Sequence, residues 1–393
     1  MKKFLICMMF TVLWFHQSSA AEEMDILAND LMLGEAENET MTAESSEDNV
    51  SKSENQEAES NQNENNGKSS WFGFITRPLS KIFSNNAGDT PNEKSSETAL
   101  EKSIQLADEG NLEDQMNLAY MYLYGTNGVK QDYEKAFKYY SMAAKQDDPI
   151  AINNLGSLYF NGIGTNRDVK TALTLFEHAS DLGNDNASIN LAFILLTGGT
   201  KDPKRNRKAM ELFQKAQKEG NKIAKFMVGY AYYKGFVYPQ EYNKAFKLIR
   251  SAATENAQID EAQLVLSDMY VHGHGTTQNY ELALSTLLQA STQGNLDAII
   301  ALGDHYRAGD ICKIDLSMAH TLFNIAAAYN VPNAGKERDI IGKNLKIEDL
   351  TKAQKNAQEY QPSPSELTLY IRQTYGNNLR YYIDNNFPSE KDI

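Results

Sequence analysis

The sequence predicts an all-α fold, a right-handed superhelical solenoid of antiparallel helix pairs preceded by a disordered acidic arm. Three observations carry the prediction. A glycine recurs without replacement at Gly125, Gly162, Gly198, Gly235, Gly273 and Gly309, at intervals of 37, 36, 37, 38 and 36 residues. An alanine recurs at Ala136, Ala172, Ala209, Ala245, Ala283 and Ala319, with a second alanine seven residues after each. Residues 21–98 share neither column and hold 17 Asp plus Glu against 5 Lys plus Arg, a net −12 of the chain's −14.

In chain order, the first element is MKKFLICMMFTVLWFHQSSA, residues 1–20, where Lys2 and Lys3 precede an apolar run from Phe4 to Phe15 and small residues follow at Ser18 and Ala20. This is the layout of a secretory signal peptide, with cleavage expected after Ala20 or Ala21. The chain is therefore expected to be exported, to the periplasm or medium of a bacterium. In a eukaryotic host Asn38, Asn49 and Asn186 would be glycosylation acceptors. Cys7 lies inside the apolar run and not at the cleavage point, so no lipid anchor is expected, and no later run is long enough to span a bilayer. Removing the signal leaves Cys312 alone, which excludes an intramolecular disulfide and leaves packing to hold the fold. Nothing near Cys312 activates it, and it reads as an inert thiol.

The arm at 21–98 is filled out with Ser, Asn and Gln, and it cannot bury enough apolar surface to offset its chain entropy. Its charge opposes phosphate and disfavours nucleic acid as a partner. One apolar island at 71–83 interrupts it, with Trp71, Ile75, Leu79, Ile82 and Phe83 at rough helical spacing. The island reads as a cap on the first helices, or as a short motif for a partner or a membrane surface.

Residues 99–110 read as a capping helix, followed by six repeats over 111–333. Seven residues before each recurring glycine stands Leu118, Leu155, Leu191, Val228, Leu266 or Leu302, and three before it Tyr122, Tyr159, Leu195, Tyr232, Tyr270 or Tyr306. Four-residue spacing puts both columns on one face of a first helix that ends at the glycine. The paired alanines lie two turns apart on a second helix, and imply a neighbour so close that only a methyl fits. Gly183, Gly220, Gly294, Asp147, Asn256 and Asn330 separate the repeats, all residue types that tolerate a left-handed helix end. Pro149, Pro203, Pro239 and Pro332 fall in the predicted turns. The third repeat departs from the pattern, with Leu195 in place of tyrosine and a basic turn at Lys201, Lys204, Arg205, Arg207 and Lys208 that reads as solvated. Residues 361–393 form a tail, either a further helix or an adhesive segment.

The stretch YFNGIGTN, with Gly162 and Gly164, invites comparison with a phosphate-cradling loop. Such a loop would occur once, after a strand, and would carry Lys-Ser or Lys-Thr; here the same turn repeats, so no nucleotide cofactor is expected.

NNLGSLYFNGIGTNRDVKTALTLFEHASDLGN and LAYMYLYGTNGVKQDYEKAFKYYSMAAKQDD resemble the Sel-one-like repeat family, a longer relative of the tetratricopeptide repeat, and the resemblance extends over about residues 99–360. By that resemblance, residues 334–360 are the charged helix pair that closes such arrays. Some cysteine-rich members of the family have been described as β-lactamase-like hydrolases. This chain lacks their cysteine pairs, so a β-lactamase-like or cell-wall-acting hydrolase stands only as the alternative reading.

A stack of helix pairs presents a long concave face that suits an extended or helical segment of another protein. With the leucine stripe as core, another face of the first helices carries Asn117 and Tyr120, Asn154, Asn190 and Phe193, Tyr230, and Asp268. Asparagine there can bond a ligand's backbone, and Tyr120, Phe193 and Tyr230 can anchor it. These seven residues are the candidate partner-binding set, for a protein or peptide ligand such as an envelope or host protein. The competing account is that Asn and Tyr bond between neighbouring repeats and only hold the stack. No nucleophile elbow, His-Glu-x-x-His or paired-cysteine framework appears. His272 and His274 have the spacing to clip a metal, but without a nearby third ligand they are weak evidence, so neither metal nor cofactor is expected. The sequence thus predicts a non-enzymatic exported scaffold.

Overall fold

The computed structural model describes residues 93–197, 202–254 and 258–386, and every regular element among them is an α-helix. The signal-peptide, acidic-arm and 71–83 expectations lie outside the described residues, as do Gly198, Lys201 and Asn256. The described residues divide into two compact units that part between Leu182 and Gly183. The first unit contains α1 (Glu93–Asp108), α2 (Leu112–Tyr124), α3 (Tyr133–Ala144), α4 (Pro149–Asn161) and α5 (Val169–Asp181). The second opens with α6 (Asp185–Leu196), α7 (Pro203–Lys218), α8 (Lys222–Lys234), α9 (Tyr242–Thr254), α10 (Asp260–His272) and α11 (Tyr280–Thr292). It continues with α12 (Leu296–Ala308), α13 (Leu316–Ala328), α14 (Ala334–Gly342), α15 (Ile347–Glu359), α16 (Glu366–Thr374) and α17 (Arg380–Asp384). Successive helices pack in pairs, α2 with α3 and α4 with α5 in the first unit, and α6 with α7 through α12 with α13 in the second.

The turn inside each pair follows from two local preferences. Gly125, Gly162, Gly235, Gly273 and Gly309 end the first helices at φ of 65, 67, 79, 69 and 73°, a left-handed conformation that costs other L-residues roughly 1–2 kcal/mol. A few residues on, the backbone N–H of Asp132, Asp168, Glu241, Asn279 and Asp315 donates to the carbonyl of Tyr122, Tyr159, Tyr232, Tyr270 and Tyr306, over 2.8 to 3.1 Å. Four of these residues then cap the second helix with their side chains: Asp132 accepts from Lys135 N–H, Asp168 from Thr171, Asn279 from Leu282 and Asp315 from Met318. Such a cap contributes about 1 kcal/mol. First helices begin the same way, on Asn111, Asp148, Asn184, Asn221 and Asn295.

Packing then follows the columns. All twelve recurring alanines are 0% exposed, and the leucine column from Leu118 to Leu302 is at most 8% exposed. The second helix of one pair meets the first helix of the next through aromatic rings, Phe137 edge-on to Tyr159 at 5.2 Å and Phe246 to Tyr270 at 5.6 Å. Buried amides tie successive first helices together: Asn221 donates to Asp185 at 2.8 Å and Asn295 to Asp260 at 3.0 Å.

Two expectations are corrected. Pro149 and Pro203 do not sit in turns; they occupy the first turns of α4 and α7, where proline lacks only an N–H that has no intrahelical acceptor. The basic stretch is helix instead of turn, and only in part solvated, with Lys204 and Arg207 exposed. Lys204, Arg205, Arg207 and Lys208 lie on α7, and Arg205 is fully buried, donating to the Thr197 carbonyl at 3.1 Å.

Because Ala245 has no exposed surface, Ala245→Leu is expected to overpack the joint and lower stability by about 1–3 kcal/mol. Equilibrium urea unfolding measures this, and an unchanged midpoint would contradict methyl-limited packing.

Candidate functional site

In the second unit, the first-helix face that the sequence singled out is covered by the chain's own C-terminal segment. The Ser363 N–H donates to the Thr292 carbonyl at 2.8 Å and the Ser365 N–H to the Gln293 side chain at 2.9 Å. Thr368, fully buried on α16, donates to the Gln258 carbonyl and accepts from the Asp260 N–H, both at 3.3 Å. Beyond α16, the Tyr375 hydroxyl donates to Asn190 Oδ1 at 2.9 Å, and the Tyr375 and Tyr382 rings lie 4.3 and 4.7 Å from Phe193. On α17, the Asp384 carboxylate accepts from the Tyr230 hydroxyl at 3.0 Å. Asn386 closes the contact by donating to the Leu196 carbonyl at 2.8 Å. Asn190, Phe193 and Tyr230 are thus all contacts of the tail.

The start of α10 explains why the tail docks where it does. Its N-cap position is Ile259, which supplies no side-chain cap, whereas α6, α8 and α12 begin on asparagine. The Thr368 hydroxyl takes the Asp260 N–H in its place. Two carboxylates open the helix, favoured by its N-terminal partial positive charge, and both are buried. Asp260 pairs with Arg372 at 2.6 Å. Glu261 accepts from the backbone N–H groups of Leu379 and Arg380 at 2.9 and 3.1 Å, while the Arg380 guanidinium reaches Asp297 at 2.5 Å. Burial pushes the Glu261 carboxyl up to about 7; Arg380 pulls it down, Asp260 adds repulsion, and the two backbone donors pull it down further. The sequence carried one sign of this arrangement that column reading passed over, namely isoleucine at 259 where sibling helices have Asn or Asp.

In the first unit, Asn154 hydrogen-bonds the hydroxyl of buried Tyr140 on α3, which makes it a contact within the stack. Tyr120 packs against Tyr124 with ring centroids 4.7 Å apart, and Asn117 lies half-buried one turn earlier. Asp268, on the column of Phe193 and Tyr230, accepts instead from the Tyr233 hydroxyl and faces His272 Nδ1 at 3.1 Å. This corrects the expectation that His272 and His274 lack a third ligand. Asp268 precedes His272 by four residues on the same helix face, and Asp268, His272 and His274 present ligand atoms all within 4.8 Å of one another. Cys312 is half-buried, and burial, then Asp310 and Asp315, push its thiol up, away from the thiolate.

Helix pairs closed by a left-handed glycine and stacked through alanine define a helical-repeat protein of the tetratricopeptide-like class. The Sel1 repeat model matches residues 112–148, 149–184, 186–221, 222–256, 260–295 and 296–328, and the chain belongs to that family. Sel1 repeat proteins act generally as protein–protein interaction scaffolds. The ERAD-associated E3 ubiquitin-protein ligase component HRD3B of Arabidopsis thaliana is 26% identical over 269 residues, covering 47% of this chain and 44% of that one. The corresponding HRD3A component is 26% identical over 151 residues, covering 34% and 22%. The chain therefore spans less than half the length of either relative. A solved Sel1 repeat protein from Oxalobacter formigenes superposes with a TM-score of 0.50 at 27% identity, covering 58% of this chain and 99% of that one. Among the described residues, no helix is long and apolar enough to cross a membrane.

Removing Arg380 leaves the buried Glu261 carboxylate without its cation, a change that costs about 3–5 kcal/mol in comparable buried pairs. Arg380→Ala is expected to strip hydrogen-exchange protection from residues 363–386 while α11 to α13 keep theirs. A second expectation concerns pH. The folded-state pKa of Glu261 stands above its ordinary value of 4.5, so the folded state holds that proton more tightly. The Glu261 contribution to stability then falls as pH rises from about 4.5 to about 7, and is level above. The stability difference between wild type and Glu261→Gln, from thermal unfolding, is expected to favour wild type more at pH 5 than at pH 8.

Proposed function

We propose that the protein is an exported, non-catalytic scaffold that captures a segment of a partner protein on its concave first-helix face, and that the C-terminal tail is an internal ligand of that face in the second unit. The observation that supports this reading is the tail contact itself. Asn190, Phe193, Tyr230, Asp260 and Glu261 hold a short helical segment through an amide, aromatic rings, a hydroxyl and carboxylates that accept its backbone N–H and guanidinium groups. A partner matched to the same groups carries paired tyrosines flanked by arginine. In the first unit, Asn117 and Tyr120 hold the corresponding columns of that unit's own first helices, whereas Asn154 is engaged by Tyr140 and Asp268 has its own partners. Export rests on the layout of residues 1–20, and the non-catalytic reading is supported by the commitment of the buried carboxylates of this face to arginine and backbone donors.

A fluorescein-labelled peptide of residues 362–386 tests the reading by anisotropy. It is expected to bind a full-length chain whose own tail is loosened by Tyr375→Ala and Arg380→Ala, and to bind wild type at least tenfold more weakly. Adding Asn190→Ala and Phe193→Ala to the loosened chain is expected to abolish binding. A loosened chain that keeps its circular dichroism and binds no peptide would remove the basis for a capturing face.

A further inference from the structure

We propose that Asp268, His272 and His274 form a binding site for a divalent transition-metal ion of the zinc class. The ligand set of two imidazoles and one carboxylate is of the kind that zinc takes at about 2.0–2.2 Å per bond, with a fourth position left open. Ligand atoms already within 4.8 Å of one another need to close by only about 1–1.5 Å to share a tetrahedral ion. The His272 side chain, 54% exposed, has room to make that movement.

The surroundings are those of a supported site and not of a loose surface cluster. Tyr233 donates its hydroxyl to Asp268, the outer bond that orients a ligating carboxylate. The His274 ring lies flat on Tyr242, 4.2 Å between centroids and 2° between planes. The turn carrying it is jammed against the start of α9: Gly275 holds φ of 73°, and a Cβ there would sit 2.1 Å from the Tyr242 carbonyl oxygen. His274 Nδ1 is buried and has no hydrogen-bond partner. A buried imidazole nitrogen left unpaired is unfavourable, and a metal ion would satisfy it.

The repeat supplies its own comparison. At the position of His274, the first two repeats and the fourth have Thr126, Ile163 and Phe236. Ile163 packs against the first-unit core and Phe236 is 2% exposed. An apolar side chain thus packs at this step of the turn in the second and fourth repeats, the sixth has Asp310, and only the fifth has histidine there while also placing Asp268 and His272 on the preceding turn. Asp268 shares its helix column with Phe193 and Tyr230, so the open coordination position is available to water or to a side chain of a segment held on that face.

The test is isothermal titration calorimetry of the full-length, tag-free, metal-stripped chain with zinc chloride. One ion per chain with micromolar or tighter affinity is expected. His274→Phe, which restores the residue type of the fourth repeat, is expected to fold normally and to weaken binding at least 100-fold; His272→Ala is expected to weaken it at least tenfold. Zinc should also shift the His274 Nδ1 resonance in a long-range proton–nitrogen spectrum. Absence of binding by wild type, or equal affinity in His274→Phe, would overturn the proposal, since either outcome takes these three residues out of the coordination.

Discussion

The array depends on a residue that hydrogen-bonds in two directions at once. Asp168 donates its backbone N–H to Tyr159 on the first helix of its pair, and with its carboxylate accepts from Thr171 at the start of the second. The preceding glycine makes this possible, because only a left-handed residue lets the chain reverse tightly enough for the N–H to reach that carbonyl. The helices of a pair are then held at one separation and one register, and the alanines meet with no exposed surface. Spacing between glycines varies from 36 to 38 residues, and the backbone half of this contact recurs across that variation, from Asp132 to Asp315.

A fixed register has a second consequence. Side chains at one position of successive first helices line up, so a ladder of polar groups arises from repetition alone. Asn221 on Asp185 and Asn295 on Asp260 are rungs of it. The tail uses a helix start that lacks the side-chain cap found on α6, α8 and α12. Ile259 leaves the Asp260 N–H to Thr368, and the adjacent carboxylates draw in Arg372 and the backbone of α17. Docking of the tail therefore completes a helix terminus, which ties it to α10 more firmly than apolar contact by itself.

The fold class was legible in the sequence because every repeat restates the same constraint, and a column of six glycines or twelve alanines cannot arise from composition. The caps were less visible, since Asp and Asn also fill turns without capping, and in the basic stretch charge suggests solvent where the Thr197 carbonyl just past α6 receives the buried Arg205 guanidinium. The site was legible only in part. Helical spacing placed Asn190, Phe193 and Tyr230 on one face, but their partners Tyr375 and Asp384 lie 185 and 154 residues away, beyond any periodic signal. Asp268 and His272 stand four residues apart on a helix, a spacing legible in the sequence, but the same helical period also puts Asp268 in the column of Phe193 and Tyr230, and the two readings compete.

Both unusual features of the second unit lie where the repeat breaks its own rule. Position 259 has isoleucine in place of a capping Asn or Asp, and position 274 has histidine where the second and fourth repeats pack Ile163 and Phe236. Each substitution weakens the local structure in isolation: one leaves helix N–H groups without a cap, the other buries an unpaired nitrogen. At 259 the deficit is made up by a segment from more than 100 residues away, so a position that is poor for the single repeat is favourable for the whole chain. His274 presents the same kind of deficit without a protein group to meet it. The same logic assigns its complement to something outside the chain, and the carboxylate and imidazole beside it narrow that complement to a cation.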